Sequence, residues 1–269
     1  MVSLLTIFLY TQVGAQDMTK APGWSAFEQF VFATDKDHQT NSLIIQKNDE
    51  IIFERYREGF TQETKQQIWS MTKSIAGLII GKAISDNIIS AQDPVHKYFP
   101  QAPRDIKINH LLNMVSGYDW NEGYEYNPVR SDVINMLYTE HYGDMASFAA
   151  NKKLAHPAGS YFRYSSGTTN VLMGILSKAM GPSDYQDYPW RSFFTPLEIN
   201  DVTWERDHAK TFVGSSYIFM RARDITKIGQ LFLDQGKYKN QQVIPKEWLE
   251  KSAEPYPYFM VAGRELKES

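Results

Sequence analysis

Apolar positions along the chain recur with two different periods. Trp24, Phe27, Phe30 and Val31 fall at helical spacing and predict an amphipathic helix over residues 24–32. Ser42-Leu43-Ile44-Ile45 and Ile51-Ile52-Phe53 are short β-branched runs on either side of Asn48-Asp49, which predicts a hairpin. Residues 71–86 are apolar on most sides and predict a central buried helix. Its Gly77 and Gly81, four apart, are expected to let another element pack closely. Helical periods follow at 109–114, 131–138, 145–150 and 168–180, joined by long aromatic loops. A short strand is expected at 217–220. Residues 222–234 carry Ile225, Ile228, Leu231 and Phe232 on one stripe, with Gly236 expected as the C′ residue. Residues 256–262 could start another strand.

Strands therefore stand at both ends of the chain with a helical block between them. The pattern predicts an α/β (α+β) domain, residues 17–106 and 201–269, with an all-helical region, 107–200, inserted into it. No repeat and no Ser/Gly/Pro linker divides the chain. A two-stranded hairpin is not stable alone, so the sheet needs further strands.

Composition narrows the function classes. The 269 residues include no cysteine, which removes disulfides, thiolate metal sites and cysteine nucleophiles together. A net charge of -3 and a pI of about 6.1, with no basic cluster, disfavour a nucleic-acid or membrane-surface module. The six histidines form no i, i+4 pair and no H-E-x-x-H, so no metal or cofactor is implied. His110 opens a helix and could cap it. Glu54, Arg55, Arg57 and Glu58 read as a solvated strand face. At the N-terminus, the apolar run 2–10 and the small-residue site Val13-Gly14-Ala15 predict a secretory signal over residues 1–16, although no Lys or Arg precedes the run. The alternative is a buried N-terminal helix or strand. The apolar run is too short to span a bilayer stably, since a spanning helix takes about 20 residues. Export to the periplasm or beyond is the expectation.

The sharpest chemistry lies in Trp69-Ser70-Met71-Thr72-Lys73. Ser70 and Lys73, three apart, project from one helix face. A serine hydroxyl needs a neighbouring base to become a nucleophile. Lysine serves if burial and the positive end of a helix dipole disfavour its ammonium. The alternative is an N-cap serine with a surface lysine one turn on. A second segment, Pro157-Ala158-Gly159-Ser160-Tyr161-Phe162-Arg163-Tyr164-Ser165-Ser166-Gly167, leads into a helix. Tyr164 and Ser166, two apart in extended chain, point the same way. Tyrosine beside lysine can shuttle a proton. The alternative is a packed aromatic and an N-capping serine. Tyr118 and Trp120, with Tyr124, Tyr126, Tyr138 and Tyr142, read either as a substrate pocket or as packing of the helical block.

Taken together, these segments resemble the serine β-lactamase-related hydrolases: class C β-lactamases, D-alanyl-D-alanine peptidases, and the esterase and 6-aminohexanoate-dimer hydrolase branches. The resemblance covers about residues 41–253 and runs through the hairpin, the S-x-x-K helix, HLLNMVSGYDW, PAGSYFRYSSG and ARDITKIGQLFLDQGKY in order. It implies a β-lactamase/transpeptidase-like fold, an antiparallel sheet flanked by helices. It implies that Ser70 is acylated, that Lys73 is the base or its helper, and that Tyr164 relays the proton. Ser166 stands where β-lactamases and peptidases usually carry asparagine, which favours the esterase and amide-hydrolase branches. Ser166, Trp120 and Tyr118 are the expected substrate contacts, for a small ester, amide or peptide-like molecule. Residues 116–122, SGYDWNE, look most like the aminohexanoate-dimer hydrolases. The family's third motif, Lys-Thr-Gly or His-x-Gly on a strand after the helix at 222–234, has no counterpart. His141-Tyr142-Gly143 and Lys210-Thr211-Phe212 come too early. On that basis the chain is expected to stop roughly one hundred residues short of a full family member, within the size range of such domains. A non-catalytic, ligand-binding or inactive member is the alternative function.

Overall fold

A computed structural model describes residues 18–33, 39–124, 127–254, 256, 259–261 and 264–266. The expected signal segment 1–16, Tyr126 and His38 lie outside the described residues. The chain divides into two compact units, Met1–Thr64 and Lys65–Ser269.

The first unit holds helix α1 (Trp24–Val31) and the hairpin of β1 (Ser42–Lys47) and β2 (Glu50–Tyr56). Asn48 and Asp49 turn the chain with φ of 50° and 64°, the left-handed pair of a tight hairpin turn. Pairing runs from Lys47↔Glu50 to Ser42↔Tyr56, with a register shift between Ile45 and Gln46. Trp24 is buried and meets the edge of Phe53, their ring centroids 4.7 Å apart. The stripe predicted for α1 is only partly used, since Phe30 is 82% exposed. Arg55 on the expected solvated face pairs with Glu28 at 2.7 Å and lies over the Phe32 ring.

The second unit is built on a three-stranded antiparallel sheet in the order β3 (Lys65–Gln67), β5 (Ile218–Arg221), β4 (Thr203–Trp204). From β3 the chain enters α2 (Met71–Ser85), then α3 (Ile108–Leu112), α4 (Asp132–Tyr138), α5 (Met145–Ala150), α6 (Ser166–Met180) and α7 (Pro182–Pro189). After β5 come α8 (Ala222–Leu233), the two-residue strands β6 (Lys237–Tyr238) and β7 (Gln241–Gln242), and α9 (Lys246–Ala253). A last hairpin pairs β8 (Phe259–Val261) with β9 (Arg264–Leu266). The boundaries expected at 107 and 200 fall inside this unit. One continuous core joins Ile75, Ile79 and Ile80 of α2 to Val171, Met173 and Ile175 of α6 and to Ile218 and Met220 of β5.

Two local expectations need correcting. Gly81 does admit a neighbour: a Cβ there would sit 2.1 Å from the Trp248 ring of α9. Gly77 faces no described atom within 4 Å and is not a packing site. At the end of α8 the left-handed C′ residue is Gln235 (φ 53°), one position before Gly236. Gly236 N–H bonds Leu231 O at 2.8 Å and Gln235 N–H bonds Phe232 O at 3.3 Å, which is a Schellman closure. His110 does cap its helix, accepting the Lys107 N–H on Nδ1 at 3.3 Å.

Among the described residues, no helix is long and apolar enough to cross a membrane.

Candidate active site

The sheet aims Ser70. β3 pairs with β5 through Gln67↔Phe219, and Ile68 N–H extends the ladder to Ile218 O at 3.0 Å. Trp69 then leaves the sheet with φ 47°, a left-handed conformation costly for a bulky side chain. This sharp exit places Ser70 at the head of α2, in helical backbone (φ −66°, ψ −11°) and open to solvent.

Ser70 occupies the N-cap position, yet its side chain makes no capping hydrogen bond. Its hydroxyl meets Lys73 instead: Lys73 Nζ donates to Ser70 Oγ at 3.0 Å. Ser70 is thus an N-cap residue by position, with its hydroxyl turned to Lys73 and not to the helix N–H groups. Lys73 is half-buried and donates a second bond, 3.0 Å long, to the Ser215 carbonyl oxygen. Its Nζ lies 5.0 Å from the centroid of the Tyr164 ring, and Tyr164 is 43% exposed. Three residues singled out in the sequence thus converge at one solvent-accessible spot at a helix N-terminus, where the helix dipole favours negative charge.

The remaining expected site residues lie deeper. Ser165, not Ser166, is the N-cap of α6 and accepts the Thr168 N–H at 3.1 Å. Ser166 is buried, and its hydroxyl donates to Glu122 Oε1 at 2.5 Å. Glu122 Oε2 accepts the Ser166 N–H at 2.9 Å and the Trp120 indole N–H at 2.5 Å. Trp120 and Tyr118 are both buried, and the Tyr118 hydroxyl donates to Ala150 O at 3.3 Å. Burial pushes the Tyr118 phenol far up, so it stays neutral. Of the other loop aromatics, Tyr124 and Tyr138 are exposed, and Tyr142 donates to Arg206 O at 3.0 Å.

Sequence reasoning missed Glu122, Asn170 and Ser215. Asn170, buried in α6, donates to Ser215 Oγ at 3.0 Å and accepts the Gly214 N–H at 2.9 Å. No local pattern marks these residues, because their partners lie 44 to 45 positions away. A cavity of about 670 Å³ lined by Lys82, Ser85, Lys237 and Lys246 sits at the other end of α2. At about 1.5 Å per residue, that end is some 20 Å from Ser70, so the cavity is separate from this site.

A mixed helix and antiparallel-sheet scaffold, with an S-x-x-K pair at the head of a buried helix faced by a tyrosine, defines the β-lactamase/transpeptidase-like fold. The chain belongs to the beta-lactamase family, whose model matches residues 27–260. It is similar to the 6-aminohexanoate-dimer hydrolase of Paenarthrobacter ureafaciens, with 23% identity over 230 residues, 78% of this chain and 56% of that protein. Among solved structures it resembles a candidate 6-aminohexanoate-dimer hydrolase from Bacillus anthracis, with a TM-score of 0.67 at 20% identity, covering 78% of this chain and 58% of that one. It also resembles the octameric penicillin-binding protein homologue from Pyrococcus abyssi, with a TM-score of 0.63 at 19% identity, covering 84% of this chain and 58% of that one. At these identities the structural likeness establishes the fold. The chain spans a little over half the length of these relatives.

Proposed function

We propose that the protein is a serine hydrolase acylated on Ser70, with Lys73 as proton acceptor and Tyr164 as proton relay, acting on a small ester or amide. The observation that carries this reading is the 3.0 Å contact between Lys73 Nζ and a Ser70 hydroxyl that caps nothing. That distance lies within proton-transfer reach. In acylation, Ser70 Oγ bonds to the substrate carbonyl carbon while its proton passes to unprotonated Lys73 Nζ. The carbonyl electron pair moves onto oxygen, where the positive N-terminus of α2 stabilises it. Collapse of the tetrahedral intermediate breaks the bond to the leaving alkoxide or amine, which takes a proton through Tyr164. Water then attacks the acyl-serine by the same route, releasing the acid and restoring Ser70.

Ser166 supports an ester or amide over a β-lactam. Its hydroxyl proton is already committed to Glu122, so it does not offer the side-chain amide donor that the asparagine of β-lactamases and peptidases carries at this position. A relative named for hydrolysing the 6-aminohexanoate dimer adds weight to an amide.

Fluorophosphonate labelling and p-nitrophenyl ester hydrolysis test the reading. Ser70→Ala is expected to abolish labelling and to lower turnover by at least about 10³-fold, as loss of a nucleophile does elsewhere. Wild-type turnover by Ser70→Ala would overturn it. Nitrocefin turnover matching ester turnover would overturn the preference against β-lactams. The alternative is a binding protein without turnover. A folded wild-type protein that takes no label would favour it. Export directed by residues 1–16 belongs to the same proposal. It is checked by mass spectrometry for a mature N-terminus near Gln16 in the exported fraction.

A further inference from the structure

We propose that Asn170 is a positioning residue for Lys73, acting through the turn at Gly214-Ser215. The inference rests on the reading above, in which Lys73 is the base.

A lysine amine on a four-carbon stem is mobile, and a single contact to a serine hydroxyl does not fix it. Lys73 has a second fixed point in the Ser215 carbonyl oxygen, 3.0 Å away and 142 positions along the chain. The placement of that carbonyl decides where Nζ sits.

Asn170 is what holds the carbonyl there. It is 1% exposed, and both ends of its amide are in use. Oδ1 accepts the Gly214 N–H at 2.9 Å, while Nδ2 donates to Ser215 Oγ and to Ser166 O, each at 3.0 Å. Flipping the amide would set two donors against each other at Gly214, so the orientation is determined. The turn is also pressed onto the helix. A Cβ at Gly214 would stand 2.6 Å from Met173 Cγ and 2.7 Å from Thr169 O, so only glycine lets the turn come this close. Three residues after Ser215 the chain enters β5, whose partner β3 leads to Ser70. One sheet thus aims the nucleophile, and the turn that precedes its middle strand anchors the base. The amide on α6 locks that turn one helical turn beyond Ser166.

Losing the lock leaves Ser70, Lys73 and Tyr164 in place but lets Nζ drift from its proton-transfer distance. The experiment is the pH dependence of fluorophosphonate labelling of Ser70 in the wild type, Asn170→Leu, Asn170→Asp and Ser215→Ala, beside Ser70→Ala and Lys73→Ala. Leucine matches asparagine in size but makes no hydrogen bonds. Aspartate keeps the acceptor for Gly214, and Ser215 can turn its hydroxyl to donate to it, but its second oxygen faces the Ser166 carbonyl where Asn170 has a donor. The labelling rate of Asn170→Leu should fall roughly 10- to 100-fold, part of the 10²–10⁴ that a positioned base supplies. The midpoint of its pH profile should also move, Asn170→Asp should recover only part of the loss, and Ser215→Ala, which keeps the Gly214 and Ser166 bonds of Asn170, should lose less than Asn170→Leu. Thermal melts report the folded fraction. A rate that falls only in step with that fraction, with the pH midpoint unmoved, overturns the inference, as does a wild-type profile in Asn170→Leu. If Asn170→Leu does not fold, Ser215→Ala decides by the same criterion. If Lys73→Ala labels like the wild type, the reading of the site itself fails. If Lys73→Ala is silent while the Asn170 and Ser215 variants are unaffected, only the present inference fails.

Discussion

Glu122 receives three donors on two oxygens: the hydroxyl and the amide N–H of Ser166, and the indole N–H of Trp120. An ionised carboxylate suits this, being purely an acceptor. Glu122→Gln keeps the shape but turns one acceptor into an N–H₂ group facing donors. It should destabilise the fold by about 1–3 kcal/mol, the cost of leaving a buried donor unpaired, as read from urea unfolding. An unchanged midpoint would show that the carboxylate is not holding the head of α6. Residues of this kind were illegible in the sequence. Ser70 and Lys73 could be read because helix geometry brings positions i and i+3 together. Glu122 meets Ser166 across 44 positions and Lys73 meets Ser215 across 142, contacts that only the tertiary fold creates.

Among the elements, α2 carries an internal contrast. Gly81 lies against Trp248, and an added Cβ would sit 2.1 Å from its ring, whereas Gly77 has nothing described within 4 Å. Gly77→Ala should therefore stabilise by about 0.5–1 kcal/mol through helix propensity alone. Gly81→Ala should destabilise by about 1–3 kcal/mol through overpacking. Thermal melts of the two variants should move in opposite directions. The helices α2, α6 and α8 were legible to within a few residues because each sustains its apolar pattern over three turns or more. The strands β3 and β4 were not. They are three and two residues long, β3 is polar (Lys65-Gln66-Gln67), and both exist only because β5 pairs with them from far along the chain. Short strands of this kind have no local period to detect.

At the scale of the whole molecule, stability should depend on pH through His110. Burial holds its pKa below the usual imidazole range, with the charge of Lys107 adding to the effect. The unfolded chain takes up this proton below about 6.5, while the folded chain resists until a lower pH. Stability should therefore be complete above that value and decline as pH falls through the window beneath it. Comparing unfolding of the wild type and His110→Gln between pH 7.5 and 5 checks this: the wild type should lose more. Equal slopes would rule out His110 as the source. The backbone twist that delivers Ser70 has an optical consequence as well. It leaves the Trp69 ring 55% exposed beside Ser70, while Trp24, Trp120 and Trp204 are each less than 10% exposed. Trp190 and Trp248 are half-buried, so Trp69 is the one exposed indole among the described residues. On the proposed mechanism, acylation of Ser70 is expected to change the fluorescence of this tryptophan, a readout that needs no chromogenic substrate and no identified product.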